Sequence, residues 1–328
     1  QGAAGSGKTS VALHRIAYLL YHDRENLKAA NILILSPNNA FSDYISHILP
    51  ELGEEHIQEM SFDLFAYKEL KEVANDCEDR YDYLEKKMKF QDSEWEIRFK
   101  EKQSASFIGQ MEGFLAMLEE DLVNIRSFTF KGFHKTEEEI IHLFYFKFQT
   151  VPLLARMDAV MEYLIDEYET LRGKNISEED MEALRETFQK MYVTTDLYEI
   201  YGWLLKDCGY PELSNAEYER RKLEYEDVFP MLYLKYRLKG SRKHKNIKHL
   251  VIDEMQDYSY LQYSILSMLF HCRMTILGDR AQTMDRECQD VTKFLPKIFG
   301  RKIRKIVMNK SYRNTLEIAE YAERIRGG

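Results

Sequence analysis

The chain carries two textures of apolar and polar positions. Toward both ends, short runs of consecutive apolar residues alternate with helical stripes. In the middle, apolar residues recur every three or four positions among dense charges. Residues 9–22 place Val11, Ile16, Leu19 and Leu20 at helical spacing. Asn31-Ile-Leu-Ile-Leu-Ser36 is a continuous apolar run closed by Pro37-Asn38-Asn39, the pattern of a parallel strand buried on both faces and followed by a turn. Residues 41–52 read as the next helix and Ile57–Ser61 as a short strand. From Leu64 to about Lys245 helical periodicity dominates, over 81–102, 106–123, 160–171 and 178–192. Strand patterns return at His249-Leu-Val-Ile-Asp253, Met274-Thr-Ile-Leu-Gly-Asp279 and Ile303–Met308, and Leu316–Ile325 closes as a helix. The pattern predicts an α/β domain with a parallel sheet, split into segments 1–63 and 247–328 by a mostly helical insertion over 64–246.

Composition narrows the class. Of 328 residues, 45% are hydrophobic and 31% charged, which is a globular rather than a disordered balance. The net charge of −9 excludes an overall basic nucleic-acid binder and leaves room for a local basic groove. Residues 71–240 sum to about −12, so the insertion carries the acidity and the flanking segments are slightly basic. A cluster of Lys239, Arg242, Lys243, Lys245 and Lys248 follows the insertion; it reads as a solvated loop, with phosphate contact as the alternative. Cys77, Cys208, Cys272 and Cys288 form no paired motif, which disfavours a zinc site or a disulfide scaffold and fits a reducing compartment, the cytoplasm. No apolar run approaches the roughly 18 residues of a membrane span, so no membrane partner is expected. The insertion's aromatics, such as Phe144-Tyr145-Phe146, Tyr192, Tyr198, Tyr201 and Trp203, read first as core.

The chemistry lies in the two α/β segments. Gly2-Ala3-Ala4-Gly5-Ser6-Gly7-Lys8-Thr9 fits G-x-x-x-x-G-K-[ST]. Its glycines let backbone N–H groups turn around phosphate oxygens, and the following helix points its positive end at the same anion. Lys8 is placed to reach the β- and γ-phosphates and Thr9 to ligate Mg²⁺. Gly2, Gly5, Ser6, Gly7, Lys8, Thr9 and Ser10, together with Gln256 and Tyr312, are the candidate nucleotide-binding residues. Asp253-Glu254 ends a strand, where Asp253 suits a magnesium ligand and Glu254 a base for the attacking water. Gln256 and Asp257 extend that motif. Gly278-Asp279-Arg280-Ala281-Gln282 follows the next strand, and Gln282 offers a neutral amide to a γ-phosphate. In Ser311-Tyr312-Arg313-Asn314, Tyr312 offers a stacking face for adenine and Arg313 a charge for the transition state.

In order and spacing these motifs resemble the superfamily 1 helicases of the UvrD/Rep type. The resemblance covers residues 1–63 and 247–328. Ser36-Pro-Asn-Asn-Ala-Phe-Ser-Asp-Tyr-Ile45 and the acidic helical insertion are similar, more narrowly, to the HelD group of bacterial RNA polymerase-associated ATPases. The resemblance implies a RecA-like P-loop fold, ATP with Mg²⁺, and ATP hydrolysis coupled to motion. It implies Lys8 and Thr9 on phosphate and metal, Asp253 as the metal carboxylate, Glu254 as catalytic base, Gln282 as γ-phosphate sensor, Arg313 as an arginine finger and Tyr312 on the base. Met60-Ser61-Phe62 looks like the segment leading into the insertion.

Three departures shape the expected partner. The motifs of a second RecA-like domain do not appear, so the chain reads as a fragment that hydrolyses ATP poorly without that domain. Gln282 is followed by Thr283-Met284-Asp285-Arg286-Glu287, with none of the aromatics that help UvrD-type helicases hold single-stranded DNA. The insertion is acidic, whereas a phosphate backbone prefers a basic surface. The expected function is therefore an ATP-driven motor acting on RNA polymerase. Single-stranded DNA translocation is the alternative, and a nucleotide-gated binding module the non-enzymatic one.

Overall fold

The computed structural model describes residues 7–37, 57–89, 94–241, 244–278, 291–300 and 303–308. The helices expected at 41–52 and 316–325 lie outside the described residues. The chain divides into two compact units, Gln1–Glu69 with Arg242–Gly328, and Leu70–Ser241.

The first unit is α/β, as expected of a RecA-like fold. Its sheet has four parallel strands, β1 (Ile32–Leu35), β2 (Gln58–Met60), β3 (His249–Ile252) and β4 (Arg273–Ile276), in the order β2-β1-β3-β4. The central positions fall to β1 and β3, whose every residue is buried. A strand covered on both faces needs this uninterrupted apolar character. Helix α1 (Lys8–His22) buries Ala12, Leu13, Ile16 and Leu20 in one cluster with Ile32, Ile34 and Val251. Side chains alternate along a strand, so Leu33, Leu35, Leu250 and Ile252 face the other side of the sheet. Val11, expected on the buried stripe of α1, is instead 53% exposed. It sits about 100° around the helix from the Ala12-Ile16-Leu20 line.

Helix α2 (Phe62–Leu70) leaves β2, and helix α3 (Tyr260–Leu269) joins β3 to β4. Ser259 caps α3 by accepting from the Gln262 backbone N–H, while the Gln262 side chain accepts from the Ser259 N–H. Helix α4 (Val291–Phe299) was not anticipated; Val291, Phe294 and Leu295 are its buried stripe, and Phe294 and Phe299 pack on Tyr263. Residues 303–307, expected as a strand, carry no regular structure, and Ile303, Ile306 and Val307 are exposed. The reason lies in Arg304-Lys305: adjacent residues of a strand point to opposite faces, so a doubly covered strand would bury one charge on each side.

The second unit is helical, with spans Arg80–Lys89, Glu94–Lys102, Ala105–Asp121, Arg156–Arg172, Glu178–Gln189, Leu197–Asp207 and Tyr225–Lys239. Two small sheets, 76–77 with 222–223 and 128–130 with 133–135, interrupt them. Residues 225–234 are all buried, making the last helix the axis of this unit. Pro230 lies inside it and cannot donate to Glu226 O; the Gln103 side-chain amide donates to that carbonyl instead, at 3.3 Å. Phe144, Tyr192, Tyr198 and Tyr201 are core, whereas Phe146 is exposed.

Candidate nucleotide-binding site

The carboxyl edge of the parallel sheet holds those candidate site residues that lie among the described ones. Open α/β sheets bind ligands there, where strand ends and helix N-termini converge. Gly7 turns the chain into α1 in the left-handed conformation, φ 80° and ψ 21°, a geometry that costs a side-chain-bearing residue. The first turn of α1 holds Lys8, Thr9 and Ser10, all half-buried, and contains no carboxylate to occupy its positive end. Gly2, Gly5 and Ser6 lie outside the described residues, as do Gln282, Tyr312 and Arg313.

Past the end of β3 the parallel ladder continues for one more step. The Asp253 N–H donates to Leu35 O at 2.9 Å, Leu277 N–H to Ile252 O at 2.8 Å and Met255 N–H to Leu277 O at 2.8 Å. This holds the Asp253-Glu254 turn between the ends of β1 and β4. Asp253 is buried and its carboxyl is pushed up to about 6. Burial is the main cause, and the Glu254 and Glu59 charges add to it. The Glu254 N–H and the Lys8 charge act in the opposite direction. Lys8 and Asp253 thus feel each other across the edge, although 245 positions separate them in sequence.

Glu254 adopts φ 50° and ψ 54°, one of two non-glycine residues with positive φ among the described residues. Such strain recurs at functional sites. The Gln256 side-chain amide donates to the Glu254 carboxylate at 2.6 Å, and Tyr263 O–H donates to Met255 O at 3.0 Å. A Cβ on Gly278 would stand 2.2 Å from Met255 Cγ and 2.7 Å from Gln256 Oε1, so the segment after β4 approaches this turn only because residue 278 is glycine. Glu59 and the packing role of Gly278 escaped sequence reasoning: Glu59 sits in an unremarkable short strand, and Gly278 was legible only as part of a motif.

The donor set suits a nucleotide with Mg²⁺. One buried carboxylate and a hydroxyl at a helix N-terminus match an ion that keeps most of its ligands as water and phosphate. Among the described residues no group of three His, Cys, Asp or Glu side chains is placed to hold a metal alone.

A parallel sheet with a glycine turn into a helix at its carboxyl edge, beside a strand-terminal buried Asp, defines the nucleoside-triphosphatase class of α/β fold. The chain belongs to the UvrD/REP helicase family: the family's UvrD/REP helicase N-terminal domain matches residues 1–284. That family is one of ATP-driven superfamily 1 motors. No curated protein matches the chain significantly. No described helix is long and apolar enough to cross a membrane.

Proposed function

We propose that the carboxyl edge of the sheet binds ATP with Mg²⁺ and hydrolyses it. Lys8 and the N–H groups of the Gly2–Ser10 loop hold the phosphates, and Thr9 and Asp253 hold the metal. Glu254 orients and deprotonates the attacking water. Gln282 senses the γ-phosphate, Arg313 neutralises transition-state charge and Tyr312 stacks on the base. The observation that carries this reading is the buried Asp253, fixed past the end of β3 by its N–H on Leu35 O, at the same sheet edge where Gly7 turns the chain into the first turn of α1. Gln256 holds the Glu254 carboxylate through its amide, which keeps the base aimed while it waits for substrate.

For the working partner we propose RNA polymerase, as in the HelD group. The acidic charge of residues 71–240 supports this, since it repels a phosphate backbone and suits a basic protein surface. Membership of the UvrD/REP helicase family favours single-stranded DNA as the second reading.

Steady-state ATP hydrolysis, measured alone, with single-stranded DNA and with RNA polymerase, separates them. Stimulation by polymerase without a DNA effect supports the first; a large DNA stimulation overturns it for the second. Glu254→Gln is expected to cut turnover by roughly 10²–10⁴-fold with ATP still bound. Full turnover in that variant removes Glu254 from the mechanism.

A further inference from the structure

At the opposite, amino edge of the same sheet lies a groove of about 510 Å³, built within the α/β unit. The loop entering β3 supplies Lys245 and Lys248 to it, and the start of β4 supplies Arg273. The end of α1 and the turn after it supply Asp23 and Asn26. His249, buried at the back, is pushed down to about 4 by burial and by the charges of Arg15 and Arg273. Arg15, on α1, thus belongs to the same positive field. Arg15, Lys245, Lys248 and Arg273 are all exposed. Among the described residues none of the four is in an ion pair with a carboxylate, although such pairs occupy Lys86, Arg98, Lys102, Lys135, Arg156 and Arg221 in the helical unit. The one carboxylate lining the groove, Asp23, accepts from the Asn26 side-chain amide at 2.9 Å. Leu19, Leu27 and Ile247 form an apolar wall, and among the described residues no Phe, Tyr or Trp side chain lines the groove.

We propose that this groove docks an acidic peptide segment of a protein partner, with its carboxylates on Arg15, Lys245, Lys248 and Arg273 and an aliphatic side chain against Leu19, Leu27 and Ile247. The cations select an acidic ligand by charge complementarity. The acceptors select a peptide. The last carbonyls of a helix lack intrahelical partners, and α1 brings that end, with Asp23, to the groove. Lys248 Nζ answers one carbonyl of the following turn, Asn26 O. A peptide backbone brings further N–H donors to such acceptors, whereas a phosphodiester strand brings more negative charge. The lining points the same way. A nucleic-acid strand is held by stacking on aromatic rings, while an aliphatic wall rewards burial of a leucine or valine side chain. A compact dianion such as free phosphate calls for the N–H cradle of a helix N-terminus, which lies at the other edge. The site is remote from the proposed nucleotide edge and rests neither on the ATP reading nor on the identity of the motor's partner.

Fluorescence anisotropy with a short labelled peptide alternating glutamate and leucine, without nucleotide, tests the proposal. The peptide should bind, and more weakly as salt rises, because exposed ion pairs are screened. A peptide alternating glutamate and serine should bind at least about tenfold more weakly, the effect of burying one aliphatic side chain. The double variant Lys245→Glu/Arg273→Glu should bind the glutamate–leucine peptide at least about tenfold more weakly and admit a lysine–leucine peptide that the parent chain rejects. Both residues are exposed, so folding is expected to survive, as circular dichroism would show. Should the variant fail to fold, the peptide series and cross-linking in the parent chain decide. A photo-cross-linker carried by the glutamate–leucine peptide should label 15–27, 244–249 or 271–273. The proposal is overturned if that peptide does not bind, if the serine peptide binds equally well, or if charge reversal in a folded variant leaves affinity unchanged. Cross-links confined to other segments overturn it too, as does an oligothymidylate that binds more tightly than the peptide and displaces it.

Discussion

At the scale of single residues, the candidate site depends on two glycines for different reasons. Gly7 is required by its dihedral angle, since φ 80° is poorly tolerated by other residues. Gly278 is required by space: its missing Cβ is where Met255 Cγ already sits. Met255 has little room to withdraw, because its N–H is bonded to Leu277 O and its carbonyl accepts from Tyr263 O–H. Gly278→Ala should therefore cost about 1–3 kcal/mol by overpacking and break the Gln256–Glu254 hydrogen bond. Urea denaturation and ATP turnover check both effects. Unchanged stability would mean that the 255–257 turn yields freely and that the glycine is not a spacer. The Gly7 requirement is legible in sequence because a phosphate-binding loop has a spacing. The Gly278 requirement is not, because it arises from the approach of a turn over 20 residues upstream.

At the scale of elements, β3 carries a buried titratable group at each end, and the two oppose each other in pH. Asp253 has a folded value of about 6 against 3.8, so the folded state holds its proton more tightly. Its destabilising effect grows as pH rises from about 4 to 6 and is complete above that. His249, bonded to Thr275 Oγ1 at 2.9 Å, has a folded value of about 4 against 6.5. The unfolded chain takes that proton first, so stability is lost as pH falls from about 6.5 to 4. Each effect is on the order of 3 kcal/mol, and in the parent chain their opposite pH dependences largely offset each other, so that stability changes little between pH 4 and 7. Asp253→Asn should be more stable than the parent at pH 7 and no more stable at pH 4, measured in denaturant without nucleotide or Mg²⁺. A loss of stability equal at both pH values would count against a buried, costly carboxylate. The strands themselves were readable because β1 and β3 are short apolar runs of the kind a doubly covered sheet demands. The run at 303–308 shares the β-branched residues but not the neutrality, and the charges at Arg304 and Lys305 override it. Helix α4, with Pro296 inside it, was not anticipated, although Val291, Phe294 and Leu295 place a buried stripe ahead of that proline.

At the scale of the whole molecule, charge is organised differently in the two units. The acidic total of the helical unit was visible by counting, but its most consequential charges are buried and no count reveals them. Lys102 Nζ donates to Glu226 at 2.8 Å and to Asp227 at 2.6 Å, Arg98 joins Glu226 at 2.7 Å, and Tyr201 O–H donates to Asp227 at 2.5 Å. Lys102, Glu226 and Asp227 are each less than 5% exposed. The cluster sits one turn from Pro230, where Gln103 takes over the missing backbone donor, so the axial helix is fixed by polar groups at its most irregular point. Burial raises the Asp227 carboxyl and Lys102 opposes that rise. Removing one partner of a buried pair is costly because the other charge remains. Lys102→Met should therefore destabilise this unit by about 3–5 kcal/mol at neutral pH. The gap to the parent should narrow as pH falls, because Asp227 then takes a proton and needs no cation. Both tryptophans, Trp95 and Trp203, belong to the helical unit. Urea unfolding followed by their fluorescence reads that unit alone, and binding of a fluorescent ATP analogue reads the α/β unit in the same sample. The expected result is an earlier tryptophan transition with nucleotide affinity retained in dilute buffer. An unchanged tryptophan transition would mean that Lys102 can be lost at no cost, and that apolar packing alone fixes the axial helix.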